Sequence, residues 1–237
     1  MDGAELDNDV SNSRVARNIN LINEAVQAVC DRLGRDASGV RLVAVSKTAQ
    51  NEEIEQAVLF GHPDFAENRS DLFAQRSLLF PEVNWHFIGH IQTNKVKDFT
   101  GKAALVHSVA TDRSLLAIEK RSISLGITQA VLVEVNTSGE ATKDGLSTAE
   151  LPALLELASS LQAVEVQGLM TIGPIADEDT VRDCFRKLCL ARDAMQKSFS
   201  GVANLPLAEL SMGMSDDYLI AVEEGATIIR IGRSVWQ

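Results

Sequence analysis

Lys47 directly follows the apolar run LVAVS, and a lysine at the end of such a run is the residue here best placed for covalent chemistry. The other seven lysines fall in stretches that read as helix or loop, where an ammonium group stays in water. Desolvation disfavours the charged form of an amine in an apolar mouth, and the free amine can attack a carbonyl to form a Schiff base. Strand-end lysines are common, and position alone favours one whose stem lies along the strand end while its charge reaches water, or one paired with a carboxylate such as Glu67. Two later segments, LSMGMSDD and IIRIGRS, combine Ser, Gly and a following helix start. That combination can cradle a phosphate through freed backbone N–H groups, although Gly after a strand also marks an ordinary turn.

Along IIRIGR, alternation puts Arg230 and Gly232 on one side of a strand, the inside if Ile229 and Ile231 face helices. An arginine there needs a partner, either a neighbouring carboxylate or a ring nitrogen that its permanent charge would keep unprotonated. A ligand with both an aldehyde and a phosphate would meet all these groups, and pyridoxal 5′-phosphate is a cofactor of that description. An unprotonated ring is a poor electron sink, so chemistry needing a strongly stabilised carbanion is disfavoured. His86 and His90 share a direction by period two, but His62 and His107 are not spaced as their metal partners. The histidines therefore read singly as packed or hydrogen-bonded residues, and no metal site is expected. Asp216 and Asp217 open a helix, where carboxylates complement its dipole.

These groups need elements to position them. Strands are predicted over 41–46, 64–67, 84–89, 104–109, 130–136, 164–172, 209–212 and 227–231. Helices are predicted over 51–60, 69–79, 92–99, 112–125, 148–161, 180–199 and 216–224. Before them, Val15, Ile19, Ile22, Val26, Val29 and Leu33 mark one face of an amphipathic helix that ends near Gly34. Ser147 with Glu150 reads as a capping box, and Asn51 and Ser215 as N-caps. Alternating strands and helices predict a parallel sheet, and runs such as AVLVEV suit burial on both faces. Eight strands without a G-x-G-x-x-G turn favour one (β/α)8 TIM-like barrel with an extra N-terminal helix over an open doubly wound sheet. In such a barrel the strand C-terminal ends share one mouth, and phosphate is often held after strands seven and eight, where the two Ser/Gly segments fall. The predicted organisation is a polar tail over 1–12 and a single barrel over 13–237.

Composition narrows the partners. The 237 residues carry 22 Lys+Arg against 33 Asp+Glu, a net charge of −11, with 45% hydrophobic and 5% aromatic residues. An acid excess without basic clusters argues against nucleic acid and anionic membrane surfaces, so any anion must be caught locally. Cys30, Cys184 and Cys189 form neither a C-x-x-C nor a metal spacing, which suits free thiols in a reducing cytoplasm. The acidic start is unlike a signal peptide, and no apolar stretch approaches the roughly 18 residues of a membrane helix. A cytoplasmic, monomeric protein is expected.

In order along the chain, LVAVSKT, FAENR, WHFIGHIQTNKVK, VHSV, VNTSGEATKDGL, GLMTI, LSMGMSDDY and AVEEGATIIRIGR resemble the pyridoxal phosphate homeostasis proteins. That family is similar to the N-terminal barrel of alanine racemase standing alone, and the likeness runs from about Arg14 to Trp236. It implies that Lys47 forms the internal aldimine and that Arg230 faces the pyridine nitrogen. It also implies that Ser211, Met212, Gly232 and Arg233 hold the phosphate, largely through backbone N–H groups plus the serine hydroxyl. Asn68, His90 and Met170 match positions lining the cofactor. Ala66 stands where the family usually has Gly, Ser70-Asp71 replace Val-Gln, and the chain ends Ser-Val-Trp-Gln in place of Phe-Gly.

The function so implied is sequestration of pyridoxal phosphate and a part in vitamin B6 homeostasis, with apoenzymes that use the cofactor as candidate recipients. The alternative is a pyridoxal phosphate-dependent amino-acid racemase of the alanine racemase type. That chemistry needs a second acid/base group, supplied in alanine racemase by a tyrosine of an extra domain. The one tyrosine here, Tyr218, follows the phosphate segment, and the chain ends just after its eighth strand, so His90 is the residue that could substitute. A sugar-phosphate aldolase using Lys47 is a third reading, which the motif set disfavours.

Overall fold

The computed structural model describes residues 13–140 and 144–237, so the predicted tail and the Ala-Thr-Lys of VNTSGEATKDGL lie outside the described residues. Eight parallel strands close into a barrel in chain order. They are β1 (Arg41–Val45), β2 (Asp64–Glu67), β3 (Asn84–Phe87), β4 (Leu105–Val109), β5 (Gln129–Glu134), β6 (Val164–Met170), β7 (Glu209–Ser211) and β8 (Ile228–Ile231). The barrel shuts where β8 pairs with β1, with Val43 opposite Arg230. Several strands stop one or two residues before the apolar pattern predicts, because residues such as Gly89 leave the ladder to build the mouth.

The helices are α1 (Arg14–Leu33), α2 (Asn51–Leu59), α3 (Ser70–Leu79), α4 (Val96–Phe99), α5 (Asp112–Leu125), α6 (Leu151–Ser159), α7 (Glu178–Ser198), α8 (Tyr218–Glu223) and α9 (Arg233–Trp236). Helix α1 is the predicted extra helix. The Ser13 side chain accepts from Ala16 N–H, and Gly34 ends the helix at φ 64°, where a residue without Cβ is unstrained. Its stripe is buried except for Leu33, which is exposed because the last turn runs past the core. The helix covers the closing seam: Asn18 Nδ2 donates to Val235 O at 3.0 Å and Arg35 Nη1 to Val222 O at 2.9 Å.

Three predicted caps are displaced. Gln50, not Asn51, caps α2, its N–H donating to Glu53 at 2.9 Å. Ser147 N–H and Oγ both donate to Glu150, but α6 begins only at Leu151. Asp217, not Ser215, precedes α8 and accepts from Met214 N–H at 2.6 Å. At Ser147 and Asp217 a side chain that hydrogen-bonds within a turn competes with the helical start, whereas the contact of Gln50 with Glu53 is itself the capping box that starts α2.

Alternation divides the strands into two apolar layers. Leu42, Ala44, Phe65, Phe87, Ile229 and Ile231 pack outward with the helices. Val43, Val45, Ala66, Leu105, Leu132, Met170 and Ile228 form a separate inner cluster. The remaining inward positions are polar, including Asp64, His86, His107, Ser211 and Arg230, all buried. At Gly168 a Cβ would lie 1.9 Å from Glu209 O, so β6 and β7 come together only because that residue has no side chain.

Candidate cofactor site

Val45 belongs to the inner cluster, and two residues later Lys47 emerges at the rim of the barrel, exposed. The apolar enclosure expected for its amine is absent; the turn is held from behind instead. Glu67, the carboxylate considered as its partner, is fully buried, paired with Arg76 and accepting from Ser46 Oγ at 2.7 Å. Arg76 also donates to Ser46 O and Ala49 O, each at 2.6 Å, clamping the backbone on both sides of Lys47. Lys47 is thus left free of Glu67 on a turn fixed by a buried, charge-assisted network.

Arg230 lies inside the barrel, as alternation requires, and is 4% exposed. Its partners are not carboxylates: Nη1 donates to Ser211 Oγ at 2.7 Å and Nη2 to Thr171 O at 2.9 Å. Burial lowers its pKa to about 10, which leaves it charged at neutrality. The Ser211 hydroxyl, expected on the phosphate, is committed here between Arg230 and His107. The N–H of Met212, expected in the same role, is taken by Ile228 O at 3.0 Å, because Met212 continues the β7–β8 ladder.

Other groups at the β7 and β8 ends fit an anion. Among the described residues, the N–H groups of Gly213, Ser215, Gly232 and Arg233 donate to no protein acceptor. Ser215 Oγ, which accepts from Ser234 N–H at 3.4 Å, lies between the two loops and ties them together. At Gly213, φ is 94° and a Cβ would stand 2.6 Å from Ala221 Cβ, so only glycine turns the chain this way. The Arg233 side chain is exposed and paired with Asp216, which leaves its N–H as the inward-available group. Unpaired donors flanked by a buried guanidinium suit a phosphate and a ring acceptor.

The rest of the mouth is mixed. Met170 is buried in the inner cluster and floors it. Asn68 and His90 are exposed and share a cleft of about 400 Å³ with Gln92 and Lys95. His90 Nδ1 lies 3.6 Å from Asp144. Glu134, at the end of β5, is 6% exposed and lines a neighbouring pocket of about 260 Å³ with His90, Ser108 and Asp144. Burial, with Asp144 adding repulsion, raises its pKa to about 7. Among the described residues no group of three or more His, Cys, Asp or Glu is arranged to hold a metal. Among the described residues no helix is long and apolar enough to cross a membrane.

The family model of the alanine racemase N-terminal domain matches residues 10–236. A pyridoxal phosphate homeostasis protein of Aquifex aeolicus is 44% identical over 88% of this chain and 91% of its own. One of Deinococcus radiodurans is 40% identical over 86% and 91%. The chain belongs to the pyridoxal phosphate homeostasis protein family. PipY of Synechococcus elongatus, a structure with pyridoxal phosphate bound, superposes with a TM-score of 0.78 at 28% identity, covering 90% of this chain and all of that one. An alanine racemase of Clostridium difficile shares the fold, with a TM-score of 0.74 at 12% identity over 94% of this chain and 58% of that one.

Seen within the homeostasis protein family, the Ala66 departure is a small one. Its methyl is buried among Val43, Val45 and Met170 and fills the inner cluster. Sequence reasoning missed Ser215 as a loop tie, Glu134 as a buried carboxyl at the mouth, and the contact between His86 and His107. Ser215 was visible as the second serine of LSMGMSDD, and the even position of Glu134 in QAVLVE marks it as inward-facing. Nothing in the spacing of the two histidines signals that β3 and β4 bring them together.

Proposed function

We propose that the protein binds pyridoxal 5′-phosphate at the barrel mouth, holds it as a Schiff base on Lys47, and serves cytoplasmic pyridoxal phosphate homeostasis as a carrier rather than as an enzyme. The observation that carries this reading is the meeting at one mouth of three unlike groups. These are an exposed amine on a clamped turn, a buried guanidinium with N–H groups to spare, and four unpartnered backbone donors. When bound, the cofactor supplies an aldehyde that condenses with an amine, releasing water. Lys47 provides that amine, Arg230 donates toward the ring nitrogen and opposes its protonation, and the N–H groups of Gly213, Ser215, Gly232 and Arg233 receive the phosphate. Asn68 and His90 border the open side, with Met170 beneath.

An open, exposed lysine suits exchange with an incoming amine better than a reaction that must exclude water. Tyr218 packs on the outer apolar layer, so it does not supply the opposing base of a racemase. The protein is expected to be yellow, to retain the cofactor on Lys47 after borohydride, and to lose the absorbance band in Lys47→Ala. An unchanged band in that variant overturns the assignment. Transfer of the cofactor to an apoenzyme separates the carrier from the racemase. Turnover of an amino acid at the common enzyme rate of about 10 per second would overturn the carrier reading, and we expect none.

A further inference from the structure

We propose that Asp64, His86, His107 and Ser211 form a one-directional hydrogen-bond relay through the barrel that positions Arg230, with both histidines neutral and protonated on Nε2. The contacts are continuous: Asp64 Oδ1 to His86 Nε2 at 3.2 Å, His86 Nδ1 to His107 Nε2 at 2.9 Å, His107 Nδ1 to Ser211 Oγ at 2.9 Å, and Ser211 Oγ to Arg230 Nη1 at 2.7 Å. All five side chains are buried, His107 and Ser211 completely. The relay begins at the first residue of β2 and ends near the last of β8, and so runs from the lower barrel toward the mouth.

The direction follows from hydrogen-bonding capacity. Arg230 can only donate, so Ser211 Oγ accepts from it. The hydroxyl hydrogen then has one acceptor within reach, His107 Nδ1, and pointing it elsewhere would strand a buried donor. With Nδ1 accepting, neutral His107 carries its hydrogen on Nε2 and donates to His86 Nδ1. His86 therefore also carries Nε2–H and donates to Asp64, which Asn84 Nδ2 also bonds at 3.2 Å. Burial, with the positive charge of Arg230 nearby, holds the His107 pKa well below its usual range, in keeping with a neutral ring. Burial opposes the charge on Asp64, but the hydrogen bonds from His86 and Asn84, with the positive charge of Arg41, lower the pKa. A carboxylate thus ends the chain as a pure acceptor. Asp64, His86 and His107 in this way orient, through Ser211, the guanidinium that the mouth presents.

The relay stands on the structure alone, whereas its bearing on the cofactor rests on the function proposed above. Long-range 15N–1H NMR of the full chain with labelled histidine should show His86 and His107 as neutral Nε2–H tautomers at pH 7. A neutral Nδ1–H form or a charged ring at either position overturns the proposal. Asp64→Ala removes the terminal acceptor and should disturb the His107 nitrogens, which Asp64 does not touch, while Asp64→Asn, whose amide oxygen still accepts, should restore them. A change confined to His86, or one that Asn does not rescue, overturns transmission along the chain. Pyridoxal phosphate affinity should fall about ten-fold or more in Ser211→Ala, in line with loss of a hydrogen bond to a charged group. It should also fall in Asp64→Ala and recover in Asp64→Asn. Unchanged affinity in Ser211→Ala overturns the positioning role. A chain that binds no pyridoxal phosphate at all instead defeats the functional reading and leaves the tautomer result to stand by itself.

Discussion

Single residues decide how the mouth behaves. The pair of Glu67 and Arg76 is a buried ion pair whose further bonds reach Ser46 and Ala49, so its removal acts on Lys47 through the backbone. Arg76→Met leaves the Glu67 carboxylate buried without its counter-charge and should cost about 3–5 kcal/mol in urea unfolding. It should also slow borohydride trapping at Lys47. Glu134 has a different signature. Its pKa is raised from the ordinary 4.5 to about 7, so the folded state holds a proton that the unfolded chain has released. Its contribution to stability is therefore complete below about pH 4.5 and is lost as pH rises toward 7. Glu134→Gln should flatten the pH dependence of the melting temperature across that window, and a profile unchanged by the substitution would contradict the assignment. Lys47 and Arg230 were legible in sequence because each interrupts an apolar run. The inward bonds of Ser211 were not legible, because a serine at a strand end can face either the loop or the barrel, and one residue of register separates the two.

Elements place these residues through backbone approach as much as through side chains. β6 and β7 meet at Gly168 with no room for a methyl group, so Gly168→Ala should cost about 1–3 kcal/mol and displace Met170 and Ser211 beside it. Gly34→Ala is a useful contrast. Nothing crowds its Cβ position, but φ is 64°, so the loss should be about 1–2 kcal/mol from backbone strain alone, measured by thermal unfolding with the mouth unaffected. All eight strands were legible because burial on both faces makes their apolar runs nearly continuous. Helix starts were less so: α2 is capped one residue early by Gln50, while Asp217 and the delayed beginning of α6 show turn hydrogen bonds overriding the pattern of caps.

For the whole molecule, closure links the chain's ends to the candidate site. Trp236 Nε1 donates to Val45 O at 2.7 Å, tying α9 to the last residue of β1 and so to the turn that carries Lys47. Trp236→Phe removes that donor and should lower stability by about 1–3 kcal/mol, read as one shifted cooperative transition in denaturant. Two separate transitions would show that the closing seam is not part of the cooperative unit. The net charge of −11 sets these residues apart: the groups proposed to hold the phosphate form a local cluster on an otherwise acidic chain. By itself the sequence determined the strands, the barrel and the amine at the end of β1, because apolar periodicity and interrupted runs are local properties. Only the tertiary structure decided which inward polar residues meet. His86, His107, Ser211 and Arg230 come from four strands, and the closed barrel's register, which no local pattern encodes, sets them within hydrogen-bonding distance.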